Sequence, residues 1–219
     1  MSNAVQIDGG TFASWPNHEY RSDTGVWVPS LTQVLKLQGL SSYRGIAPEI
    51  MKTASERGTA VHDLTDAHDR YGEIDPSWLT PGIEGYFKAY LKLLQETGFV
   101  PDKEWIERAL VANVFGCKVG MKLDRRGKIG GQDCILEIKC TAARQASWAY
   151  QTAGQEMGVY KTTRCGQAIR LSAWLRKDGT YRLDRYEKHQ YDAQQITSAL
   201  INVYGRLDAG QKLWEEIAA

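Results

Sequence analysis

None of the four cysteines, Cys117, Cys134, Cys140 and Cys165, stands in a C-x-x-C pair, so neither a zinc site nor a disulfide framework is signalled. Two of them fall in strand-like apolar sequence, where a free buried thiol is the ordinary explanation. No apolar run approaches the roughly 20 residues that a membrane span needs, and the N-terminus lacks the basic and apolar stretch of a secretory signal. A soluble, cytoplasmic protein without a membrane partner is expected. An excess of one charge is lacking too: 27 Lys and Arg against 26 Asp and Glu leave a net charge of +1. That argues against coating nucleic acid by bulk positive charge, while leaving room for a local basic groove. With no internal repeat, low-complexity tract or linker, the 219 residues read as one domain, 1–219, around one core.

What is present is an ordered succession of periodic segments. Residues 1–28 mix Gly, Asn, Asp and aromatics without a sustained period and read as loop, with one short strand at about 11–20. Ser30 is a candidate N-cap for a short helix carrying Leu31, Val34, Leu35 and Leu37 and ending near Gly39. Helical spacing returns at 49–71, as a short lead-in and a longer helix from Ser55, with Gly72 as its stop. Thr80-Pro81 opens another helix, whose apolar face is Ile83, Phe87, Tyr90, Leu91 and Leu94. The stretches 105–115, 118–123 and 134–140 read as three consecutive strands. A helix over 142–160, a strand-turn-strand over 167–186 and a last helix at about 192–217 complete the chain. The fold class is α/β (α+β): a central mixed sheet flanked by helices, with its core at about 30–190.

The chemistry concentrates around Asp124 and the apolar strand Ile135-Leu136-Glu137-Ile138-Lys139. Strand alternation puts Glu137 and Lys139 on one face and Leu136 and Ile138 on the other. A turn bringing Asp124 beside Glu137 would gather two carboxylates and an ammonium around one point. Hard oxygen ligands of this kind hold Mg²⁺ or Mn²⁺, which polarises a phosphate and acidifies a bound water, chemistry suited to phosphodiester hydrolysis. A Glu-x-Lys pair in a strand is, taken alone, also an ordinary solvent-facing salt bridge.

Taken in order, Gly58-Thr59-Ala60-Val61-His62, Glu107, Asp124, Glu137-Ile138-Lys139 and Gln151 resemble the signature of RecB-like and lambda-exonuclease-like PD-(D/E)XK nucleases. The match runs from Leu31 to about Tyr186. The resemblance implies a restriction-endonuclease-like core. Asp124, Glu137, the Ile138 carbonyl and His62 would be metal ligands, and Lys139 the catalytic lysine. Glu107, with Glu104 as a competitor, would hold a second metal or position water, and alternation puts Glu107 on the face of Trp105. Gly58 would let the His62 helix approach the sheet closely.

There are two departures from the pattern. Gly120 precedes Asp124 by one residue more than usual, which a strand bulge would explain. The Gln-x-x-x-Tyr motif appears as Gln151 to Gln155, without the tyrosine but with both glutamines on one helical face.

The implied activity is a Mg²⁺- or Mn²⁺-dependent DNA exonuclease of phage-type recombination, replication or repair, in a bacterial or phage-infected cell. DNA is the implied partner, together with a single-strand-binding or annealing recombination protein and a homo-oligomer as further options. An endonuclease and a DNA-binding protein that has lost catalysis are the alternatives. No iron–sulfur cluster is expected, since no cysteine lies beyond Cys165. Arg57 and Arg44 could contact phosphate, although solvation explains such arginines equally well, and Trp148 could stack on a base, although core packing is the more usual role of a tryptophan on an apolar helix face. His68 and His189 lack partners in the motif order and are expected at the surface.

Overall fold

The computed structural model describes residues 4–13, 19–41, 45, 47–211 and 213. It opens with a small antiparallel sheet of four strands, β1 (Ala4–Ile7), β2 (Gly10–Ala13), β3 (Glu19–Ser22) and β4 (Trp27–Val28). The expected N-terminal loop is therefore sheet. Its strands are two to four residues long, too short for a period to emerge above the turn residues between them. Part of the expected 11–20 strand, residues 14–18, lies outside the described residues.

Helix α1 (Leu31–Leu37) begins where expected. Ser30 accepts the Gln33 N–H, and the Gln33 side chain accepts the Ser30 N–H, a capping box that contributes about 1 kcal/mol. Helix α2 (Pro48–Tyr71) is continuous rather than divided, with Pro48 in the favoured first turn and Gly72 in the left-handed region as its stop. Helix α3 (Glu84–Thr97) starts three residues beyond Pro81. Thr80 to Ile83 form a turn instead, because Gly82 weakens a first helical turn.

The central sheet has the order β5 (Val100–Val114), β6 (Cys117–Ile129), β7 (Gln132–Lys139), β8 (Ile169–Leu175), β9 (Tyr181–Arg185). Three pairings are antiparallel and β7–β8 is parallel. A parallel pairing requires a crossover, which α4 (Ser147–Val159) supplies. The sheet is mixed and flanked by helices on both faces. Leu123, Met121 and Leu110 pack with Met157 of α4 and with Ile196 and Leu200 of α5 (His189–Asp208). Leu136 and Ile138 pack instead with Val61 of α2 and Tyr90 and Leu93 of α3. Helix α5 starts three residues before 192, and of its expected end, residues 212 and 214–217 lie outside the described residues. No helix among the described residues is long and apolar enough to cross a membrane.

Strands β5 and β6 run well beyond the expected 105–115 and 118–123, so Asp124 lies inside a strand rather than after one. Their register is unbroken from Arg108↔Leu123 to Val114↔Cys117, so no bulge follows Gly120. The irregularity lies on β5, between Pro101 and Ile106. Gly120 serves a different purpose. Its N–H donates to the Pro29 carbonyl at 3.0 Å, and a Cβ at this position would collide with the ring of buried Tyr20. That contact seats the N-terminal sheet on β6. Gly120→Ala should destabilise the chain by about 1–3 kcal/mol through overpacking, and Tyr20→Ala in the same chain should recover part of the loss. Denaturant unfolding of both variants checks this, and equal stability of Gly120→Ala and wild type would refute the contact.

Candidate metal centre

The β6–β7 ladder ends at Arg125↔Leu136, so the next pair, Asp124 and Glu137, flanks a parting of the two strands. Across that parting the Asp124 carboxylate takes over from the backbone, its Oδ2 accepting the Ile138 N–H at 2.7 Å. Alternation also breaks here. Leu123 packs towards α4 and α5, yet Arg125, two residues on, meets Thr65 and Asp69 of α2.

The partner strand bends at the same level. Glu107 has φ 49°, a left-handed conformation costing a non-glycine residue about 1–3 kcal/mol. Trp105 lies against Arg126, whereas Glu107 bonds Arg125, so the two are not on one face as alternation predicts. The kink aims Glu107 at α2, where His62 Nδ1 lies 2.8 Å from its Oε1. His62 Nδ1 is also 3.6 Å from Asp124 Oδ1. His62, Glu107 and Asp124 offer ligand atoms all within 4.8 Å of one another, a spacing that one divalent cation spans.

Glu137 stands beside this group, nearly fully buried, with both oxygens engaged. Oε1 accepts from Lys139 Nζ at 2.7 Å and Gln151 Nε2 at 2.6 Å, and Oε2 accepts from Gln155 Nε2 at 2.7 Å. Gln151 and Gln155, one helical turn apart, therefore clamp Glu137 from α4. Gln151 Oε1 accepts a further hydrogen bond from Lys139 at 3.0 Å, so the ammonium is fixed between β7 and α4.

The electrostatics follow from crowding acids in a dry place. Burial, then the charge of Glu137, pushes the Asp124 carboxyl up to about 7. Burial works against a charged imidazole at His62, but Asp124, Glu107 and Glu137 outweigh it and lift that group to about 9. Burial also raises Glu107, but hydrogen bonding and charge from His62, then Lys122, hold it well below the usual carboxylate range. In the metal-free chain a protonated His62 therefore supplies the positive charge between the acids.

Other residues singled out in the sequence sit elsewhere. Arg57 donates to the Cys140 carbonyl at 3.0 Å and lies over the Tyr86 ring, bracing the end of β7. Trp148 is buried, as core packing requires. Arg44 lies outside the described residues. The Glu104 side chain is exposed, so Glu107 is the acid brought to His62. Gly58 leads to a correction, because a Cβ there would meet nothing within 4 Å and close packing on the sheet is not its role. His68 and His189 are half-buried rather than at the surface, and His68 makes an edge-on contact with Phe87.

Sequence reasoning missed the support behind Glu107. Arg125 is fully buried and donates to Glu107 at 2.9 Å, Asp69 at 2.5 Å and Thr65 at 2.9 Å, while Tyr90 donates to the same Asp69 oxygen at 2.6 Å. Lys122 adds an ion pair to Glu107 at 2.6 Å. Little in the sequence signalled it, because Arg125 stands among Asp124, Arg126 and Lys128 in a strand rich in charge, and only its burial shows that it has to be paired.

The sequence matches no protein family and no curated protein. Among solved structures, the fold is similar to that of a candidate exonuclease from Eubacterium rectale, with a TM-score of 0.50 and 14% identity over 84% of this chain and 82% of that one. An alkaline exonuclease from Laribacter hongkongensis aligns with a TM-score of 0.43 and 16% identity over 87% and 93% of the respective chains.

The metal-free chain should be stabilised by losing one of its acids. Because the folded Asp124 carboxyl titrates above its unfolded value, its penalty is absent at pH 4, sets in as pH rises and is complete above about pH 7. In EDTA at pH 8, Asp124→Asn should therefore gain on the order of 2 kcal/mol over wild type, with the gain vanishing near pH 4. Denaturant titrations at the two pH values test this, and a loss of stability at pH 8 would contradict it.

Proposed function

We propose that this chain is a Mg²⁺- or Mn²⁺-dependent nuclease of the PD-(D/E)XK kind that hydrolyses phosphodiester bonds in DNA. The observation that carries this reading is the convergence of His62, Glu107 and Asp124 beside the Glu137–Lys139 pair at one strand parting. The likeness to the Eubacterium rectale fold agrees with it.

The donor set fits a hard divalent cation. Asp124, raised to about 7 by burial and then by the charge of Glu137, is a carboxylate whose ionised form a bound cation would favour. Asp124, His62 and Glu107 would hold the ion, with Glu137 and the Ile138 carbonyl at its edge. When bound, it supplies Lewis-acid polarisation of the phosphate and a more acidic water.

The chain's own residues do the rest. Glu137, clamped by two glutamines, fixes Lys139, and the Lys139 ammonium can orient the attacking water or stabilise charge developing on the phosphate. Arg125 and Lys122 hold Glu107 in place, so the acid needs no rearrangement during reaction. A cavity of about 290 Å³, bordered by Gly120, Lys122, Asp124, Glu137 and Gln151, gives the phosphodiester its approach. The finer reading, an exonuclease working on DNA ends in phage-type recombination, replication or repair, is supported by the resemblance of the motif order.

Degradation of end-labelled linear DNA and closed circular DNA in Mg²⁺, Mn²⁺ or EDTA, by wild type and Lys139→Ala, tests the proposal. Metal-dependent loss of linear DNA alone, slowed at least about 100-fold by the substitution, is expected. Cleavage of neither substrate would leave a DNA-binding protein without catalysis.

Metal affinity supplies an independent check. An ion taking these atoms displaces protons held by His62 up to about 9 and by Asp124 up to about 7, so calorimetric Mn²⁺ affinity should increase as pH rises towards those values, about tenfold per pH unit for each proton displaced. An affinity flat between pH 6 and 8 would place the ion elsewhere.

A further inference from the structure

A separate cleft lies away from the metal centre. It measures about 710 Å³ and lies between the segment leading into α4 and the one joining β9 to α5. That volume falls within the roughly 300–1,000 Å³ of small-molecule sites. Its walls combine three cations, Arg144, Arg185 and Lys188, with three aromatic rings, Tyr150, Tyr186 and Tyr191. Two of these cations are paired through Nε, Arg144 with Asp184 at 2.6 Å and Arg185 with Glu187 at 3.2 Å, while Asp192 is tied to buried Arg170 at 2.8 Å and the exposed Lys188 adds a third positive charge.

The aromatic and cationic groups are held in place yet open to solvent. Tyr191 is 49% exposed and shares a hydrogen bond with Tyr150. Arg144 is anchored by Nε to Asp184 at 2.6 Å with much of its side chain exposed, which leaves further guanidinium donors facing outward. A guanidinium matches phosphate oxygens, and an exposed tyrosine ring offers a stacking face to any base.

The cleft neighbours the reaction centre through shared lining residues. Gln145 borders both it and a neighbouring hollow of about 370 Å³ that contains Lys139 and Gln151. Gln151 in turn borders the cavity holding Asp124 and Glu137. The three hollows therefore lie side by side along shared walls, from the carboxylates past Lys139 to the tyrosines.

We infer that the cleft at Arg144, Tyr150, Arg185, Tyr186, Lys188 and Tyr191 binds the single strand of the substrate next to the reacting phosphate, stacking a base on Tyr191 and holding phosphates with Arg185 and Lys188. The inference rests on the nuclease reading for the strand's direction towards Lys139, but the binding itself needs no catalysis.

Fluorescence anisotropy of a short fluorescein-labelled oligodeoxythymidylate, titrated with the full chain in EDTA, tests it. Tyr191→Ala should weaken binding about 5- to 150-fold, and Tyr191→Phe should restore it. The Arg185→Ala/Lys188→Ala double variant should reduce the slope of log affinity against log salt by about 0.7 for each phosphate that the removed cations had neutralised. A side chain that merely supports the fold would not move that slope. Binding within about twofold of wild type for both Tyr191→Ala and the double variant would overturn the inference, as would failure of the wild type to bind the strand. Binding that responds to these substitutions, with no DNA cleavage in Mn²⁺, would defeat the nuclease reading and leave the strand site standing.

Discussion

Three carboxylates, Glu107, Asp124 and Glu137, crowd into one desolvated pocket, and their mutual repulsion is the constraint that the surrounding structure answers. Each is given its own set of counterparts, with His62 shared between two of them. Glu107 has the buried cation Arg125, the ammonium of Lys122 and the imidazole of His62. Glu137 has Lys139 and two side-chain amides. Asp124 has one backbone N–H and the more distant His62, and it is the acid whose titration is displaced to about 7. Arg125 is itself costly to bury, and its cost is offset by donation to Asp69, Glu107 and Thr65. The strained backbone at Glu107 belongs to the same arrangement, because a regular strand would aim that carboxylate away from His62.

The topology brings the remaining parts without extra elements. A parallel β7–β8 pairing cannot be closed by a tight turn and requires a crossover helix. That helix is α4, and it runs back over the face of β7 that carries Glu137 and Lys139, so Gln151 and Gln155 face those residues. The segment that enters α4 and the one that enters α5 meet on the same side of the sheet, which opens the basic and aromatic cleft beside the centre.

Much of this was legible in the sequence, to the extent that local rules governed it. The capping box at Ser30, the stop at Gly72 and the pairing of Glu137 with Lys139 across two strand positions follow from helix and strand periodicity alone. Reading by period failed where tertiary packing breaks it. Asp124 looked like a residue beyond a strand because β6 changes face there, with Leu123 and Arg125 on opposite sides. The same kink hid Arg125 as the partner of Glu107. The N-terminal sheet was invisible because its short strands are held by contacts at Gly120 and Val111, about a hundred residues further along the chain. Gly58 misled in the opposite direction, since a small residue four before His62 suggested close packing where there is open space.

The hydrogen bonds of the centre span very different lengths of chain. Asp124 reaches Ile138 across 14 residues and Glu137 reaches Gln155 across 18, whereas His62 meets Glu107 across 45. Closing the longest of these loops carries the largest entropic cost and depends on α2 docking against a sheet that already exists. During folding, the carboxylates can therefore gather before the imidazole arrives to share their charge. A chain that has paired β6 with β7 but not yet docked α2 carries Asp124 and Glu137 together without the histidine that completes the ligand set.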